Sequence, residues 1–203
     1  MARNRILLIT GFCLALGSIG CGHSRDDSPS AQARTQGSEQ VSEEAARSTS
    51  MGSASEARAE AKFEDAPNVD LEGEAEFQPV PDGVRALVKI ENATPGEHGI
   101  HVHENGDCSD IPGKSMGQHF APDENPHGLP EASVHHLGDM GNIEVGPDGK
   151  GKLDFVIKDA TLTKGSPNSL LGKALVVHEK QDIGTQPSGD SGTPIACAVI
   201  EQD

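Results

Sequence analysis

From about residue 60 onward, apolar and polar positions alternate with a period of two, and turn residues interrupt the alternation at intervals. "VDLEGEAEFQPV" (69–80) and "VRALVKIEN" (84–92) flank the turn "PDG" (81–83), which predicts a β-hairpin. "HGIHVHE" (98–104) follows the turn "ATPGE" (93–97) as a further strand. "GNIEVGPDGKGKLDFVIKD" (141–159) repeats the hairpin signal around a second "PDG", and "ALVVHEK" (174–180) and "IACAVIE" (195–201) are apolar, β-branched runs. Short strands at this spacing, without long helical periodicity, predict an all-β antiparallel sandwich or barrel. Residues 105–138 and 179–193 do not fit strands. They are rich in Gly, Pro, Asp and Ser, and loops of that length in a compact domain are functional or disordered.

The first 58 residues have another texture. Arg3 and Arg5 precede the apolar run "ILLITGFCLALGSIG", which is short for a bilayer span and reads as an export signal over residues 1–21. The run ends in "GSIGC" and resembles a bacterial lipoprotein signal, which implies lipidation of Cys21. It departs from that pattern at Ser18, where leucine is preferred; ordinary cleavage, leaving Cys21 as a thiol, is the competing reading. Residues 22–58 hold almost no large apolar side chain, so ordering them would not be repaid by burial, and they read as a disordered tether. The expected folded domain is 59–203.

Composition and charge narrow the classes further. The chain has no Trp or Tyr and five Phe, so its core must be built mainly from Val, Ile and Leu. Residues 1–21 contribute +2 and residues 22–58 contribute −2, so the −16 of the whole chain resides in 59–203. That surface argues against nucleic acid as a partner, and against any membrane contact other than a lipid anchor. With Cys21 lipidated and Cys13 removed with the signal, Cys108 and Cys197 remain. In an oxidising compartment such a pair reads as a disulfide.

The chemistry-bearing residues are imidazoles. Eight of the nine histidines fall within 98–178. On a strand, His101 and His103 project to the same side and can reach one ion. His119, His127, His136 and Asp139 follow at regular spacing, and His178 lies on a late strand. Several imidazoles with one carboxylate suit zinc or copper better than calcium or magnesium.

"HGIHVHENGDC", "GQHF", "NPHGLP", "HLGDMGN", "LVVHEK" and "IACAVI", in that order over about residues 70–200, resemble the copper/zinc superoxide dismutases in their bacterial exported form. The resemblance implies an eight-stranded Greek-key sandwich or barrel of the immunoglobulin-like kind with two long functional loops. It implies one copper and one zinc per chain and superoxide as substrate. Copper ligands would be His101, His103, His119 and His178; zinc ligands would be His119, His127, His136 and Asp139. His119 would bridge the metals and act catalytically, taking up and returning a proton during a two-step copper redox cycle. Asp182 would hydrogen-bond ligands of both metals, and Cys108 and Cys197 would form the disulfide. His98 matches a scaffold position, and His135 is set aside because "H-x-x-D" spacing selects His136. Bacterial members vary in oligomeric state, so a homodimer is one assembly the resemblance allows.

One departure bears on rate. Family members carry arginine two residues before the "AC" pair, where this chain reads "SGTPIAC" and places Pro194. Arg85 is the lone arginine in 59–203, which leaves Lys114 and Lys180 as candidate substitutes. Three functions therefore compete: an exported dismutase in the periplasm or cell envelope, a tethered copper/zinc-binding homologue with little activity, and a metal-free structural sandwich.

Overall fold

A computed structural model describes residues 57–65 and 70–203. The expected signal segment, Cys21 and most of the expected tether lie outside the described residues. Ten antiparallel strands form one sheet. They are β1 (Ala59–Lys62), β2 (Glu64–Asp65), β3 (Glu72–Val80), β4 (Gly83–Glu91), β5 (Gly96–His103), β6 (Asp139–Val145), β7 (Gly151–Lys158), β8 (Ala174–His178), β9 (Pro194–Val199) and β10 (Glu201–Gln202). No helix occurs among the described residues.

The segment 59–65, to which the alternation assigned no strand, joins the sheet's two ends. β1 pairs with β3 on one side and β10 on the other, and β2, just past Phe63, pairs with β9. Eight main strands thus follow one another around a barrel in the order β1-β3-β4-β7-β6-β5-β8-β9, with a thin seam where β6 and β7 pair only at Val145 and Gly151. Closure removes the exposed edges that would otherwise pair with other chains. The chain passes from β4 to β5 across β7 and β6, and from β7 to β8 across β6 and β5; these are Greek-key crossings. The all-β expectation holds. Ala57 also packs against the core, and the Arg58 carbonyl accepts the Asp203 amide at 3.1 Å.

Alternation decides what lies inside. Along β4, Val84, Ala86, Val88 and Ile90 are buried while Arg85 and Lys89 face solvent. β3 adds Ala75 and Phe77, β6 adds Ile143 and Val145, and β9 adds the small Ala196 and Ala198. β5 and β8 differ because both of their faces are covered. Ile100, Val102, Leu175 and Val177 point into the barrel, whereas Ala174 and Val176 lie outside it. Those two pack with Ile111, Met116, Cys108 and Cys197 in a second cluster beneath the long loop after β5. The Cys108–Cys197 disulfide, spanning 89 positions, pins that loop to β9. Lys173 assists by donating to the Glu104 carbonyl at 2.9 Å while its ammonium rests over the Phe120 ring.

Removing the crosslink frees a long loop in the unfolded chain. Replacing both cysteines by alanine is expected to cost about 2–5 kcal/mol of unfolding free energy. Chemical denaturation of the double variant checks this, and an unchanged midpoint would contradict it.

Candidate metal centre

His101 and His103 leave the barrel on the outer face of β5, opposite in sense to Ile100 and Val102, yet both are buried because the loops 104–138 and 179–193 cover them. His119 arrives beside them by backbone pairing. The chain returns from its loop to form an isolated bridge between His103 and His119. Glu104 N–H donates to Gln118 at 2.9 Å and Phe120 N–H donates to Val102 at 2.8 Å. His178 closes β8, with the same outward sense as Val176. Asp139 opens β6 as the ladder partner of His101.

Two quartets result. One ligand atom from each of His101, His103, His119 and His178 lies within 4.8 Å of the others, and the same holds for His119, His127, His136 and Asp139. His119 belongs to both. Its Nδ1 donates to Asp139 Oδ1 at 2.8 Å, so that edge faces the second quartet while Nε2 remains without a partner.

The outer nitrogens of the rings are held. His101 Nε2 donates to Asp182 Oδ2 at 2.8 Å, His103 Nδ1 to the Gly117 carbonyl at 3.0 Å, and His178 Nδ1 to the Gly192 carbonyl at 3.1 Å. His127 Nε2 donates to the other Asp182 oxygen at 3.1 Å. Asp182 therefore touches one imidazole from each quartet. Such outer contacts fix tautomer and ring direction and leave the inner nitrogens free for a metal.

The inner nitrogens fit a metal on physical grounds. Among the described residues, three buried side-chain nitrogen or oxygen atoms lack a hydrogen-bond partner: His101 Nδ1, His119 Nε2 and His127 Nδ1. All three belong to the quartets, where bound cations would satisfy them. Around Asp139, three imidazole nitrogens crowd one carboxylate: His119 Nδ1 at 2.8 Å, His127 Nδ1 at 3.0 Å and His136 Nδ1 at 3.1 Å. Nitrogen donors with a single carboxylate suit zinc and copper.

Electrostatics keep the rings in their metal-binding form. Burial pushes His101 down to about 3, His103 to about 2 and His178 to about 4, so all three are neutral at physiological pH. Burial alone would raise the carboxyls. Hydrogen bonds from His101 and the Gly184 amide nevertheless bring Asp182 to about 2, and those from His119 and His136 hold Asp139 well below the carboxylate range.

Other histidines stand apart. His98 Nδ1 donates to the His178 carbonyl at 2.8 Å, its Nε2 lies 3.2 Å from the Thr94 hydroxyl, and the ring joins neither quartet. His135 turns its Nδ1 to the His136 carbonyl at 2.7 Å and is likewise outside both. Pro194 begins β9 as the ladder partner of His178. Lys114 and Lys180 are exposed on the two covering loops. The carbonyls of Gly117 and Gly192 were not anticipated. Both glycines have positive φ (76° and 80°), and a Cβ on Gly117 would lie 2.5 Å from Glu104 Cγ.

A family model described as copper/zinc superoxide dismutase (SODC) matches residues 71–200. "Superoxide dismutase [Cu-Zn] 2" of Brassica juncea is 41% identical over 118 residues, covering 55% of this chain and 76% of its own. The solved structure "Crystal Structure Analysis of the clock protein EA4" is similar with a TM-score of 0.64 and 34% identity, over 72% of this chain and 94% of that one.

Stability of the metal-free chain should depend on pH in a stated direction. The three imidazoles titrate below their ordinary 6.5 when folded, so the unfolded chain takes up protons first as pH falls. Their contribution is complete above about 6.5 and lost progressively toward their folded values, at about 1.4 kcal/mol per pH unit for each ring. Asp139 and Asp182 act in the same sense at lower pH, because their folded values are also depressed. Melting temperatures of metal-free protein should fall from pH 7 to pH 5; a rise would contradict the neutral, buried assignment.

Proposed function

The chain belongs to the copper/zinc superoxide dismutase family, oxidoreductases acting on superoxide, and we propose that it works outside the cytoplasm of a bacterium on a lipid tether. We assign copper to His101, His103, His119 and His178, and zinc to His119, His127, His136 and Asp139. The observation that carries the assignment is the membership of His119 in both quartets. Bound copper would supply the one-electron couple by which two superoxide anions and two protons become oxygen and hydrogen peroxide, while zinc would keep a single oxidation state. The residues do the rest. His119 Nε2, buried and without a partner, is the atom at which a proton can be held, and Asp139 fixes the ring from its other edge. Asp182 keeps His101 and His127 oriented.

Export is supported by Arg3, Arg5 and the apolar run before Cys21, and by a disulfide that suits an oxidising compartment. Replacing Cys21 by serine should shift the protein from the membrane fraction to the soluble fraction. Recovery of the unaltered protein mainly from cytosol would overturn this placement.

Local charge favours slow capture. The two loops that cover the quartets, 104–138 and 179–193, carry two lysines against nine carboxylates. Pro194 stands where the family carries arginine, which also keeps in play a second reading: a copper/zinc-binding homologue with little turnover. Loading with both metals and measuring dismutation separates them. The expected result is activity abolished by copper removal, at a rate that rises with added salt because salt screens repulsion of the anion. Pro194→Arg should raise the rate on the order of tenfold at low salt, the low end for electrostatic steering, and the gain should shrink as salt is added. Fully metallated protein with no activity beyond that of free copper would sink the enzymatic reading.

A further inference from the structure

Asp182 is the residue that both quartets touch, so whatever fixes its position fixes the relation between them. One side chain holds its backbone from both sides. Asn142 Oδ1 accepts the Asp182 amide at 2.7 Å, and Asn142 Nδ2 donates to the Asp182 carbonyl at 2.9 Å. The carboxamide thus pairs with the peptide as a neighbouring strand would, and it stands on β6 rather than in the loop.

Its location follows from an irregularity. Asn142 is three positions after Asp139, and in an unbroken strand the two would face opposite sides. The β5–β6 register slips between Gly99 and His101, and Gly141 adopts φ 79°, which together insert one extra residue into β6. Asp139 and Asn142 consequently face outward together, one beside His101 and the other beside Gly99, while Met140 and Ile143 still enter the core. The space beneath Asp182 is tight. A Cβ on Gly99 would lie 3.4 Å from Asp182 Cβ, and one on Gly189 would lie 2.0 Å from Asp182 Oδ1.

We infer that Asn142 is a positioning residue of the metal centre. It clamps the Asp182 backbone so that the two carboxylate oxygens meet His101 Nε2 and His127 Nε2, and it thereby makes β6 the reference for both quartets. The inference rests on the assignment of zinc to His119, His127, His136 and Asp139.

The test is competition of zinc(II) against a chromophoric chelator, on the full disulfide-bonded chain. Asn142→Asp preserves shape but loses the Nδ2 donor and sets a carboxylate oxygen against the Asp182 carbonyl. It should weaken zinc binding about tenfold, the lower end for loss of an outer-contact residue, with Asn142→Ala similar. A purely structural role would act through stability, so Val84→Ala, a buried β4 core change, serves as control: it should lower the melting temperature and keep wild-type zinc affinity. The double variant Asn142→Ala/Asp182→Ala should bind zinc no more weakly than Asp182→Ala alone. Unchanged affinity in Asn142→Asp, or additive losses in the double variant, would overturn this inference alone. A wild-type chain that takes up no zinc would overturn it together with the assignment beneath it.

Discussion

Three imidazole nitrogens are buried here without a hydrogen-bond partner, and leaving such a group unsatisfied costs about 1–3 kcal/mol each. The surrounding structure has the form it has because those atoms are held in place all the same. Every ring that offers an inner nitrogen to the first quartet is gripped by its outer edge: His101 by Asp182, His103 by Gly117, His178 by Gly192 and His119 by Asp139. Relaxation that would satisfy the orphaned atoms from within the chain would have to break one of those grips. A metal ion satisfies them without breaking any, so the free energy of binding is conserved for the ion.

Three of these four grips come from the two loops, the fourth from Asp139 on β6, so the loops must be rigid where they touch the rings. The satellite cluster around Ile111, Met116 and Val176, together with the Cys108–Cys197 bond, anchors the first loop to the outside of β8 and β9. Gly117 follows Met116 directly, so the carbonyl that holds His103 is one residue from a fully buried anchor. The second loop has no comparable apolar anchor. Its order comes from polar contacts: Lys180 N–H to the Ser191 carbonyl at 2.8 Å, Asp182 against Asn142, and Gln186 reaching the His127 carbonyl at 2.7 Å. The barrel supplies a stiff wall, and the loops supply acceptors aimed at it.

Much of this was legible in the residues. The alternation of Val84, Ala86, Val88 and Ile90 marks a half-buried strand, and it is one. His101 and His103, two apart in a strand, share a face by the same rule that separates Val102 from both. The illegible parts have physical reasons. "AEAKFED" closes the barrel, but it alternates alanine with charge, a pattern too weak to distinguish from the tether before it. Gly117 and Gly192 act through carbonyl oxygens, which every residue possesses. Asn142 faces outward only because of the bulge at Gly141. A glycine inside a strand pattern is the usual sign of one, although it does not tell which neighbour is turned.

The loops over the quartets carry more carboxylates than lysines, and several cations of the barrel lie elsewhere, already paired. Arg85 pairs with Asp154 in a two-toothed contact on the outer face of β4 and β7, and Lys89 lies against Glu74 and Glu76 across β3 and β4. Lys62, on β1, pairs with Glu60. In the order of strands around the barrel these cations occupy the arc made by β1, β3, β4 and β7, whereas the quartets lie on β5, β6 and β8 and their loops. Exposed pairs of this kind contribute little to stability, but each one neutralises a positive charge that could have acted at a distance. Pro194 itself is well suited to its place: at the first residue of a strand its missing N–H removes no interior ladder bond. The proline is thus an easy solution for the backbone, and, being uncharged, it places nothing beside His178 that would attract an anion.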